Sequence, residues 1–220
     1  MSQKAALLST KITKKVRLKY LVFLPKKYAQ TKKKWPLILF LHGSGERGDD
    51  IEKVKVHGLP KIVEEQPDFP FVVISPQCPE GEWWSADALV ALLDSVEKKY
   101  RIDKSRIYLT GLSMGGFGTW ELAFLQPNRF AAIAPICGGA VAYGLYRIKH
   151  VPTWVFHGAK DTAVSPEEST RLVAFGKKIG ANVRLTMYPK AGHDSWTETY
   201  ANPKLYEWFL AQRKGKYSDF

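Results

Sequence analysis

Cysteine is nearly absent from this chain, two residues in 220, which excludes a small scaffold stapled by disulfides. Cys78 and Cys137 stand apart, with no C-x-x-C spacing and no histidine-rich surroundings. Neither a zinc site nor a redox pair is indicated, and no metal or other cofactor is expected. Two buried free thiols are preferred, with a Cys78–Cys137 disulfide left open. Long apolar runs are missing as well. The longest uncharged stretch, Phe130–Tyr146, is broken by Pro135 and three glycines and falls short of a membrane span. Within Met1–Thr10 only Ala5–Leu8 is apolar, too short for a signal-peptide core, so a soluble cytoplasmic protein without membrane partners is expected.

Acidic residues are scarce, 21 Asp and Glu against 33 Lys and Arg, and the net charge is +12. Such an excess can attract nucleic acid or anionic surfaces, but no nucleic-acid-binding motif accompanies it. The preferred reading is a lysine-rich solvated surface with no nucleic-acid partner. Its densest cluster, Lys26-Lys27 and Lys32–Lys34, reads as a solvated hairpin loop between two apolar runs. Repeats, low-complexity tracts and linkers are lacking too. One domain is expected over 1–220, with a core of about 16–211.

What is present is an alternation of strand and helix patterns. Val16–Leu24 alternates as an edge strand does, whereas Leu37–Leu41 and Phe71–Ile74 are continuously apolar, as strands covered on both faces should be. Ala86–Tyr100 carries Leu89, Leu92, Leu93 and Val96 at helical spacing. A strand at Ile107–Leu109, a helix from Ser113 to about Gln126 and a strand at Ala131–Ala134 follow. Ser165-Pro166-Glu167-Glu168 opens another helix, and Asn202-Pro203 the last. This order predicts an α/β protein with a mostly parallel, doubly wound sheet and helices on both faces.

Within that frame Gly111-Leu-Ser113-Met-Gly115 stands between a strand and a helix. A serine there sits on a tight turn with its hydroxyl above the sheet, and its neighbours must be glycine because a Cβ would collide with the turn. A serine hydroxyl is a weak nucleophile until a base takes its proton. His193, in Ala191-Gly-His-Asp194 after the run Val183–Tyr188, is the preferred base. His42 and His157, each before a glycine at a strand end, read as loop supports; His57 and His150 lie in loops. Asp161, after the strand Thr153–Phe156, is preferred over Asp194 as the acid orienting the base, because an adjacent side chain rarely folds back onto the same imidazole.

An oxyanion hole needs two backbone N–H groups aimed at the developing charge. Met114 supplies one, and the loop Leu41-His-Gly-Ser-Gly45 the other, through Ser44 or Gly45 with Ser44 preferred. Glu46 and Arg47 read as a loop-bracing pair. Trp84 and Trp196 are candidates for a substrate-lining role, with core packing the alternative; Phe117 and Trp120 read as core. Only about 18 residues, Pro135 to Pro152, separate the strand after the nucleophile helix from the next, too few for a helical lid. The site should be shallow and open, with no cap domain.

From about Tyr20 to Leu210 these residues resemble the α/β-hydrolase superfamily, whose chain order is Ser, then Asp, then His. Tyr20-Leu-Val-Phe-Leu-Pro25, Leu41-His-Gly-Ser-Gly-Glu-Arg-Gly48, Gly111-Leu-Ser-Met-Gly-Gly116 and Ala191-Gly-His-Asp-Ser-Trp196 are similar to small bacterial esterases. That group is labelled predicted peptidase, phospholipase/carboxylesterase or dienelactone-hydrolase-like. The resemblance implies a serine hydrolase of carboxylic esters, free of metal and cofactor, taking a small-molecule ester. Dienelactone hydrolases proper carry cysteine as nucleophile, so Ser113 counts against that activity. A short-acyl carboxylesterase is expected, the alternatives being a peptidase or thioesterase with the same machinery, or a binding protein that has lost turnover. Oligomeric state is left open.

Overall fold

The computed structural model describes residues 3–215. Residues 3–19 run without regular structure along the surface before β1 (Tyr20–Phe23). The elements that follow are β2 (Trp35–Leu41), α1 (Gly58–Glu65), β3 (Val72–Pro76), α2 (Ala86–Lys99), β4 (Ile102–Leu112) and α3 (Met114–Leu125). Then come β5 (Ala132–Ile136), α4 (Leu145–Ile148), β6 (Thr153–Gly158), α5 (Glu167–Lys178), β7 (Val183–Tyr188), α6 (Trp196–Ala201) and α7 (Pro203–Ala211). Short 3₁₀ turns occupy Ser44–Glu46, Ile51–Lys55 and Ala142–Gly144.

The strands form one seven-stranded sheet in the order β1-β3-β2-β4-β5-β6-β7. Only the pairing of β1 with β3 is antiparallel; the other neighbours run parallel. This is the doubly wound sheet of the α/β-hydrolase fold. The continuously apolar strands explain the helices on both faces, because successive side chains point to opposite sides. On β2, Leu37, Leu39 and Leu41 enter the core beneath α2, α3 and α5, with Leu93, Trp120 and Leu172. The alternate residues Ile38 and Phe40 enter the opposite core, with Leu59 of α1 and Leu205 and Phe209 of α7.

Local signals set the helix ends. The Ser85 hydroxyl accepts from Ala88 N–H at α2, and the Asn202 carboxamide accepts from Lys204 N–H with Pro203 in the first turn of α7. At α5, Ser165 Oγ accepts from Glu167 N–H at 3.3 Å. Gly180, at φ +75°, takes up the left-handed conformation that ends the helix.

Three expectations need correction. Lys26–Lys34 is not a hairpin loop: β3 lies between β1 and β2, so the segment crosses over a strand instead of joining neighbours. Strand β1 spans four residues only, with 16–19 outside it. Strand β4 is far longer than its apolar run, because Asp103 and Lys104 interrupt the hydrophobic pattern while the backbone stays in the ladder. No helix among the described residues is long and apolar enough to cross a membrane.

Candidate active site

The parallel strands end together, and the loops leaving β2, β4, β5, β6 and β7 meet at that edge. The turn after β4 is tight, with Ser113 alone between the strand and α3. Ser113 stands at φ 51°, ψ −117° immediately before α3, a conformation that side chains other than glycine rarely adopt. Its backbone is anchored from both sides, with Ser113 N–H donating to Ile136 O and Phe117 N–H to Ser113 O. The flanking glycines are dictated by close approach: a Cβ on Gly111 would meet Gly115 O at 2.3 Å, and one on Gly115 would meet Leu41 O at 2.0 Å.

His193 reaches this turn from the loop after β7. Its Nε2 lies 2.9 Å from Ser113 Oγ and its Nδ1 2.8 Å from Asp161 Oδ2. Asp161 is buried in the loop after β6, while the His193 side chain remains 28% exposed. Burial works against the Asp161 carboxylate. Hydrogen bonds from His193 and from Val164 and Ala163 N–H outweigh it, and the carboxyl is held below its usual range. Asp194 points elsewhere: its carboxylate accepts from Thr197 N–H at 3.0 Å at the start of α6.

His157 does more than brace its loop. Its Nε2 sits 3.1 Å from Asp161 Oδ2 and 3.0 Å from Val164 O, both acceptors, so that nitrogen carries the proton. Its Nδ1 then accepts from Ser169 Oγ at 2.7 Å. The signal in the sequence was the four-residue spacing from His157 to Asp161 across a tight turn.

The loop after β2 lies against Ser113. A Cβ on Gly43 would stand 3.7 Å from Ser113 Cβ, and Ser44 opens the following 3₁₀ turn. Met114 is the first residue of α3, where a backbone N–H has no acceptor within the helix. His42 holds this loop as a neutral imidazole, with Nδ1 2.6 Å from Gly43 O and Nε2 accepting from Cys78 N–H at 3.0 Å. Burial pushes its pKa down to about 4, with the Gly43 carbonyl opposing and Arg47 assisting.

Glu46 and Arg47 do not pair with each other as expected. Arg47 donates to Ser44 O and Glu82 O. Glu46 is buried at 7% exposure between His42 and His57, at 3.8 and 3.9 Å, and its Oε2 has no hydrogen-bond partner.

The two tryptophans separate. Trp84 is 4% exposed, packs its ring tilted against His42 and donates from Nε1 to His42 O at 3.2 Å. It supports the loop, and its other side lines a cavity shared with Trp83, Cys78 and Leu89. Trp83 is the exposed one, beside a half-buried Phe117 that is not core. Trp196 meets His193 edge-on at 5.2 Å and His57 at 5.6 Å, forming a wall of the cleft.

Cys137, Asp161 and His193 bring possible metal-ligand atoms within 4.8 Å of one another. Burial raises the Cys137 thiol to about 12, which keeps it protonated and a poor ligand. Both cysteines are buried free thiols. The segment between β5 and β6 holds only a 3₁₀ turn and the four-residue α4, and it forms no helical cap among the described residues.

The model of the prolyl oligopeptidase family matches residues 139–215. The crystal structure of a thermostable esterase superposes with a TM-score of 0.75 and 37% identity, covering 88% of this chain and 59% of that one. A bifunctional acetylxylan esterase/xylanase from Neocallimastix patriciarum is 29% identical over 60% of this chain and 20% of its own length. A poly(3-hydroxyoctanoate) depolymerase from Pseudomonas fluorescens is 26% identical over 80% of this chain and 74% of its own. The chain therefore spans about a fifth of the first of these two relatives and three quarters of the second.

Proposed function

We propose, from the premise that this chain is an α/β-hydrolase similar to esterases, that it hydrolyses short-acyl carboxylic esters through a covalent acyl-enzyme. The observation that carries this reading is the unbroken hydrogen-bonded line from Ser113 Oγ through His193 to the buried Asp161. Ser113 Oγ attacks the ester carbonyl as His193 Nε2 takes its proton. Asp161 holds the imidazole with Nδ1 protonated and stabilises the imidazolium that forms. The tetrahedral oxyanion is received by Met114 and Ser44 N–H. His193 returns the proton to the departing alcohol, then activates the water that releases the acid and regenerates Ser113.

Two features support a small acyl group. Only a 3₁₀ turn and α4 lie between β5 and β6, where a cover for a long chain would have to stand. One relative is named for an acetyl ester. The alcohol side opens toward Trp196 and is free to be bulky.

The test is a fluorophosphonate label read by mass spectrometry, combined with a panel of p-nitrophenyl esters, peptides and thioesters. One label on Ser113, lost in Ser113→Ala, and turnover of acetate or butyrate esters are expected. Labelling that persists in Ser113→Ala overturns the assignment. Preferential cleavage of peptides or thioesters replaces the esterase reading with one of those.

A further inference from the structure

Beyond the Trp196 wall, a groove of about 350 Å³ runs between α1 and the α6–α7 pair. It begins at the catalytic rim with His57 and Trp196 and continues past Lys61 and Glu65 to Gln66 and Tyr206. By helical rise the stretch from His57 to Gln66 spans roughly 13 Å, the length of a short oligomer and not of a single ring. It is continuous with the site because Trp196 forms both its inner wall and the edge-on neighbour of His193.

Its lining is of two kinds, an apolar surface in which Ile62, Ala201 and Pro203 join the aromatics, and a polar rim. Trp196 and Tyr206 offer flat aromatic surface, and the Tyr206 ring is fixed by its hydroxyl donating to Tyr200 O at 2.6 Å. His57 is held between Trp196 and the buried Glu46 carboxylate. Around them stand exposed Lys61, Glu65 and Gln66, which offer hydrogen bonds of both senses with opposed charges. An aliphatic or polyester chain lying there would strip water from these groups and return few hydrogen bonds. A polyanion would meet Glu65. A neutral polyol suits both kinds of surface, its ring faces on the aromatics and its hydroxyls on the rim.

We infer that this groove binds the sugar chain of a glycan ester, so that the alcohol of the scissile bond is a hydroxyl of an oligosaccharide. The inference rests on the esterase reading and specifies its leaving group.

Two measurements test it. In the first, unacetylated xylo- and cello-oligosaccharides are titrated calorimetrically into Ser113→Ala protein. Binding is expected, and it should weaken at least tenfold when Ile62→Trp fills the groove and about threefold for Lys61→Ala, which removes one hydrogen bond at the surface. In the second, kcat/KM on O-acetylated oligosaccharide is divided by kcat/KM on p-nitrophenyl acetate. That ratio should fall at least tenfold in Ile62→Trp and less in Lys61→Ala. No oligosaccharide binding, or ratios indifferent to both substitutions, overturns the inference. So does tighter use of 3-hydroxybutyrate oligomers that is lost in Ile62→Trp, which would make the groove a polyester site. A protein that hydrolyses no ester refutes the esterase reading alone, since the titration still decides the groove.

Discussion

His157 Nε2 lies 3.1 Å from the same Asp161 oxygen that faces His193 at 2.8 Å. A buried imidazole thus supports the acid from the side away from the cleft. His157→Leu leaves that carboxylate one donor short, and a hydrogen bond to a charged group is worth about 1.5–3 kcal/mol. The Asp161 carboxyl should then protonate at higher pH. We expect kcat/KM to drop by at least about tenfold and its acid limb to move upward. His157→Gln, which keeps an N–H donor, should recover part of both. An unmoved acid limb would assign His157 to packing alone.

Asp161 and Asp194 make a contrasting pair. Asp161→Asn should lower kcat by about 10⁴, because the amide stabilises the wrong imidazole tautomer. Asp194→Asn retains an oxygen for Thr197 N–H and should stay within about twofold of the parent. Steady-state kinetics on one soluble ester ranks them, and the reverse order would move the acid beside the histidine.

Acyl length gives a third test. Without a cap, added methylenes stay in water and forgo about 0.8 kcal/mol each. The value of kcat/KM should peak between acetate and hexanoate esters and show no jump when substrate passes its solubility limit. A palmitate preference would require a covered groove that the segment between β5 and β6 does not provide.

Two glycines should differ sharply in stability. At Gly115 a methyl would stand 2.0 Å from Leu41 O, and backbone cannot step aside cheaply; at Gly45 nothing lies within 4 Å. Gly115→Ala should cost more than about 3 kcal/mol in urea unfolding or fail to accumulate as folded protein. Gly45→Ala should fall within about 0.5 kcal/mol of the parent.

His42 links stability to pH. Its folded pKa, about 4, lies below the ordinary 6.5, so the unfolded chain binds the proton more readily. Its neutral form is fully compatible with the fold above pH 6.5, and stability is lost as pH falls from 6.5 toward 4, in total on the order of 3 kcal/mol. Urea midpoints across that window should decline, and more shallowly in His42→Gln. An equal slope in both proteins would place the loss elsewhere.

The sequence made the strand order of chemistry legible because short patterns carry it: apolar runs ending in Gly-x-Ser-x-Gly, His-Gly and Gly-His. Helix boundaries came within a residue or two where a cap residue marked them, as at Asn202-Pro203. The length of β4 was hidden because Asp103 accepts hydrogen bonds from Ser105 and Arg106, and Lys104 pairs with Glu97, at the sheet's far end instead of serving the core pattern. The crossing of the 26–34 loop was hidden because strand order in space is set by distant pairing, which no local window contains. The same reason obscured Trp84 and Glu46: their roles come from neighbours 42 and 11 positions away, at His42 and His57.

The backbone at Ser113 carries one further implication. Holding a residue with a side chain at φ 51° costs about 1–3 kcal/mol relative to a relaxed conformation. Glycine at that position would be free of the penalty, with the same hydrogen bonds to Ile136 and Phe117 available to its backbone. The Ser113 hydroxyl is therefore kept against the interest of the fold, like a spring held compressed by the surrounding sheet. In a lineage that no longer needed turnover, replacement of Ser113 by glycine would be among the readiest drifts, leaving a sturdier and silent protein.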